Sequence, residues 1–126
     1  MSELPETMRA ITFETPGDPD VMTASQIEVP KARAGEVLIK VSHAGVNRPD
    51  VVQRRGLYPP PPGASPILGL EASGEIVAVG EGVDPARIGE HVCALTPGGA
   101  YARYCTVAEG HVLPVPEILT MAEAAA

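Results

Sequence analysis

Gly45-Val46-Asn47-Arg48-Pro49-Asp50, Gly56-Leu57-Tyr58-Pro59-Pro60-Pro61-Pro62-Gly63 and Gly69-Leu70-Glu71-Ala72-Ser73-Gly74 follow one another along this chain. Asn47 is a good helix N-cap, Pro49 suits a first turn, and the Asp50 carboxylate suits the positive end of the helix dipole. This predicts a helix over Arg48 to Arg55, stopped by Gly56, which a C-terminal stop favours. Asn47 and Asp50 are thereby held at a helix start, while Tyr58 follows on a stiff Pro-rich loop where an aromatic can face a ligand. Glu71 lies among Leu68, Leu70 and Ala72 and needs a partner if buried. Arg48, Arg54 and Arg55 are the candidates, and the role expected of Glu71 is structural.

Outward from this stretch, Gly (13) and Pro (14) punctuate short apolar runs rather than forming a low-complexity tract. Strands are expected at Arg9 to Phe13, Thr23 to Val29, Glu36 to Ala44, Ala72 to Val79, His91 to Leu95, Ala100 to Val107 and His111 to Pro114. Alternation in Glu36 to Val41 and in Glu75 to Val79 is only partial, so both faces of those strands should be largely covered. A small antiparallel barrel satisfies that pattern. Tyr101 and Tyr104, following Gly98-Gly99, read as barrel packing beside a strand turn. Thr120 and Glu123 form a capping-box pair that opens a new helix near the end of the chain.

Sixteen acidic residues against nine Lys and Arg give a net charge of -7, which works against a nucleic-acid partner needing a clustered basic face. No apolar run has the length of a membrane span and no secretory signal opens the chain, so a cytoplasmic protein without membrane partners is expected. Cys93 and Cys105 sit in apolar strand-like runs and read as reduced core thiols. With His43, His91 and His111 they show no zinc-ligand spacing, so no metal site is expected. Gly69 to Gly74 lacks the Lys and Ser or Thr of a phosphate loop, and Gly80-Glu81-Gly82 lacks the third glycine of a dinucleotide fingerprint.

The order of these motifs resembles the zinc-independent quinone oxidoreductases of the medium-chain dehydrogenase/reductase superfamily, and is most similar to their p53-inducible NADPH:quinone oxidoreductase type. The resemblance runs over about Met8 to Ala126. It implies a GroES-like, partly open β-barrel, mainly β with short helices. The domain would span 8–119, after a flexible segment at 1–7, with 120–126 beginning a helix toward an absent Rossmann cofactor domain. In zinc-dependent members of the superfamily, metal ligands fall where this chain has Asn47 and Leu70, so the resemblance implies an enzyme without zinc.

The activity so implied is hydride transfer from NADPH to a quinone or conjugated carbonyl, with a homodimeric parent enzyme. Tyr58 and Asn47 are the catalytic candidates and Asn47 and Asp50 the cofactor-binding ones. NADPH would be bound mainly by the missing domain, and the isolated segment would be inactive. Two alternatives are an enoyl reductase of the same superfamily and a stand-alone GroES-like binding module.

Overall fold

The computed structural model describes residues 4–125; the ends of the expected flexible and helical termini, residues 1–3 and 126, lie outside that range. Two antiparallel sheets make up the fold. In the smaller, β1 (Thr7–Thr12) pairs with β2 (Thr23–Glu28). The larger contains β3 (Glu36–Ala44), β4 (Glu71–Val79), β5 (His91–Leu95), β6 (Tyr104–Ala108) and β7 (Val112–Pro114), in the order β6-β3-β4-β5-β7. The sheets do not close on each other, which gives the partly open, mainly β architecture expected of a GroES-like domain.

Val37, Leu38 and Ile39 are buried in succession, so β3 is covered on both faces as its weak alternation implied. Val37 and Ile39 join Ile76, Val92, Cys105 and Val107 in the core. Burying a Val, Leu or Ile side chain stabilises by about 1.5–3 kcal/mol, so this cluster dominates the energetics. Its packing fixes β3 against β4 and thereby sets the positions of the loops that leave them.

Two loops matter for function, the one that leaves β3 and the one that joins β5 to β6. The first leads from β3 into α1 (Arg48–Arg54), with Asn47 at the N-cap position. At its other end Gly56 takes φ +82, its N–H donates to Gln53 O, and the Leu57 N–H donates to Val52 O. This pair of bonds is a Schellman stop, which requires the left-handed conformation that glycine adopts most easily. Arg54 Nε donates to Gly17 O at 3.0 Å, and Gln53 Nε2 to Pro66 O at 3.4 Å, which fasten the helix to the loops on either side.

The second loop corrects the expected strand at Ala100 to Val107. The strand starts only at Tyr104, because the preceding backbone bonds to another segment: Thr96, Gly99 and Tyr101 N–H groups donate to Leu70, Ile67 and Leu68 carbonyls. An apolar run here satisfies its backbone against a loop rather than a ladder. The result carries Tyr101 over the start of α1.

The chain's final helix, α2 (Met121–Ala124), begins with the capping box read from sequence. Thr120 Oγ1 accepts the Glu123 N–H at 3.1 Å, and Glu123 Oε1 accepts the Thr120 N–H at 2.9 Å. Those hydrogen bonds hold the Glu123 carboxyl below its ordinary pKa. Ser73 Oγ donates to Met121 O, docking α2 on the large sheet. No helix among the described residues is long and apolar enough to cross a membrane.

Candidate functional site

Asp50 is buried at 3% exposure, and among the described residues no cation pairs with it. Three neutral donors compensate instead: the Asn47 N–H at 3.0 Å, the Gly69 N–H at 3.1 Å and the Tyr101 hydroxyl at 2.8 Å. Hydrogen bonds to a carboxylate are among the stronger ones, and together they replace the water that burial removed. Burial and the bond to Asp50 both push the Tyr101 phenol well above its ordinary pKa, burial more, so it stays a donor. One carboxylate therefore ties together the start of α1, the loop before β4 and the loop before β6.

Asn47 passes this fixation on. Its backbone is held by Asp50, and its side-chain Nδ2 donates to Glu71 Oε1 at 3.0 Å. Glu71 thus has the partner its apolar surroundings demand, but the partner is an amide and none of the arginines proposed from sequence. Arg54 is engaged with Gly17, while Arg48 and Arg55 are exposed. Leu70 and Glu71 line an apolar groove of about 790 Å³ together with Cys93, Leu95, Thr96, Leu113 and Ala124 of α2. Leu95 and Leu113 are each 65% exposed within it.

The structure therefore brings Asn47, Asp50 and Glu71 together. Tyr58 it places elsewhere, past the far end of a helix about 10 Å long, half exposed and not lining this groove. Tyr101 was read as packing, and its hydroxyl corrects that reading: it is a buried-network donor. No sequence signal set it apart, since it fell inside the strand expected at Ala100 to Val107, whereas the strand begins at Tyr104. The groove residues Leu95 and Leu113 carried no sequence signal beyond their apolarity.

The two cysteines are free, Cys105 buried and Cys93 partly so. Among the described residues no three His, Cys, Asp or Glu side chains stand together as metal ligands would. His43 Nδ1 is 2.9 Å from Ser42 Oγ, His91 is 3.9 Å from the Glu75 carboxylate, and His111 sits on the groove's rim.

Residues 33–117 match the alcohol dehydrogenase GroES-like domain family. The chain is 36% identical to the Rattus norvegicus quinone oxidoreductase over 121 residues, covering 94% of this chain and 37% of that protein. Among solved structures, a mycobacterial protein complexed with NADPH superposes with a TM-score of 0.77 at 32% identity, covering 90% of this chain and 34% of the other. The CurK enoyl reductase superposes with a TM-score of 0.82 at 25% identity, covering 96% and 39%. The chain spans well under half of these proteins, and only 5% of a Mycobacterium tuberculosis polyketide synthase subunit that it also matches.

Proposed function

The chain belongs to the alcohol dehydrogenase GroES-like domain family, and from that premise we propose that it is the substrate-side domain of an NADPH-dependent, zinc-free quinone oxidoreductase. The observation that carries this reading is an apolar groove lined by Glu71, whose carboxylate the Asn47 amide holds in place. A groove of this volume, mostly apolar with few polar groups, has the character of a small-molecule cleft. A flat quinone or conjugated carbonyl suits its walls. The quinone oxidoreductases and the NADPH-bound protein among its relatives support the same chemistry.

NADPH, when bound, supplies the hydride. This domain's own residues orient and shield. Asp50 fixes the Asn47 backbone, the Asn47 amide holds the Glu71 carboxylate that lines the groove, and Leu95 and Leu113 present an apolar wall. Asp50 has its oxygens engaged by three donors, which favours a positioning role over direct contact with the cofactor. Tyr58 stands on the Pro-rich loop outside the groove, and its contact with substrate in the complete protein rests on the resemblance to the quinone oxidoreductases. The residues do not fit zinc: Leu70 has no lone pair to donate and the Asn47 amide is already bonded to Glu71.

This domain alone is inactive in the proposal, and the complete protein is a cytoplasmic homodimer. Asn47→Ala and Tyr58→Phe in the complete enzyme should each lower kcat for quinone reduction at least tenfold and threefold respectively, with circular dichroism unchanged. Unaltered kinetics in both would remove these assignments. The likeness to an enoyl reductase supports a second reading, reduction of a conjugated carbon–carbon double bond at the same groove; comparing quinone with enone turnover separates the two.

A further inference from the structure

Among the described residues Glu71 is the one carboxylate lining the apolar groove, alongside Leu70, Leu95, Thr96, Leu113 and His111. Its Oε1 accepts the Asn47 amide at 3.0 Å, and among the described residues nothing donates to Oε2. Asn47 is itself anchored by the buried Asp50, which Tyr101 and Gly69 hold in turn. The carboxylate is therefore not a mobile surface group free to swing into solvent. It is a half-buried acceptor at a fixed place in an apolar wall.

We propose that Glu71 is a specificity determinant of the groove: it admits uncharged aromatic or conjugated molecules bearing an O–H donor and rejects anionic ones, free carboxylic acids in particular. An ionised carboxylate can only accept hydrogen bonds, so it rewards a hydroxyl and opposes a second carboxylate. Like charges a few ångströms apart beside apolar walls repel by more than they would in water, though partial exposure softens the effect. A discrimination on the order of tenfold is the result. Applied to the proposed reaction, on whose assignment of the groove this inference rests, uncharged quinones and enones are not repelled, the hydroquinone product is held through its O–H, and enoic acids are rejected.

The test uses this chain with 2-naphthylmethanol and 2-naphthoate, which share a ring system and differ in the charge of the head group. Amide chemical shifts are followed at pH 8, where an ordinary imidazole is uncharged. The alcohol should perturb Glu71, Leu95 and Leu113 and bind at least tenfold more tightly than the naphthoate. Glu71→Gln keeps an oxygen for the Asn47 amide and removes the charge, so the ratio should fall below about threefold. In the unaltered protein the ratio should also narrow in 1 M NaCl, where the screening length is about 3 Å; that measurement stands even if the variant fails to fold. An equal affinity for both probes, binding of neither, or a ratio unmoved by both the substitution and salt would overturn the proposal. Because no cofactor or turnover is involved, this result is separate from success or failure of the quinone assay.

Discussion

Asp50 shows how a single side chain can organise a site without touching a ligand. Buried, and with no cation beside it among the described residues, it accepts hydrogen bonds from Asn47, Gly69 and Tyr101. Tyr101→Phe removes one charge-assisted bond and should destabilise the domain by about 1.5–3 kcal/mol in urea unfolding. A change below about 0.5 kcal/mol would mean that the bond is not formed in solution. The carboxylate's position at the helix start was legible from Asn47-Arg48-Pro49-Asp50 alone. Its partners were not, because Tyr101 lies fifty-one residues away and only the folded backbone brings it near. Glu71 gives the same lesson: its need for a partner followed from apolar neighbours, whereas the partner's identity depended on how β4 lies beside α1.

Among the elements, strands whose ends coincide with sharp turn signals were read best. β3 and β5 run over the residues expected, since Gly35, Gly45 and Pro97 bracket them closely. β1 starts at Thr7, two residues before the expected Arg9, because pairing with β2 continues to Glu28. β6 was read too long, for a reason already visible in its hydrogen bonds to Ile67, Leu68 and Leu70. Helix α1 was placed to within a residue by its cap and by Gly56. Gly56→Ala should cost about 1–2 kcal/mol, since φ +82 disfavours any side chain and the added Cβ would lie 2.9 Å from Pro16. Hydrogen exchange should show the change concentrated in α1 and the Pro-rich loop; protection lost evenly over the domain would contradict the assignment of Gly56 as a local stop.

Across the whole molecule, an apolar core and an acidic surface together set the response to pH. Burial pushes the Cys105 thiol up from 9.0 to about 11, despite a smaller opposing effect from Thr96. Its folded value exceeds its unfolded one, so the stability it contributes is fully present below pH 9 and is lost as pH rises toward 11. Thermal midpoints should fall over that interval, and Cys105→Ala, whatever it costs at neutral pH, should flatten the fall. An unchanged slope in the variant would assign the alkaline loss to other groups. The fold class was legible at this scale because strand number, turn spacing and motif order agreed. Function was legible only through resemblance, since Asn47, Asp50, Tyr58 and Glu71 name no reaction by their spacing alone.

The central claim, that these residues form the substrate side of an NADPH-dependent and zinc-free quinone oxidoreductase, is tested most directly on the natural protein isolated from its source. Its intact mass and its rate of NADPH oxidation with a quinone would be measured together, with and without a metal chelator. The account predicts a mass more than twice 13.1 kDa and a quinone-dependent rate that the chelator leaves unchanged. A protein of 13.1 kDa with no NADPH oxidation, or a larger one whose activity the chelator abolishes, would contradict it.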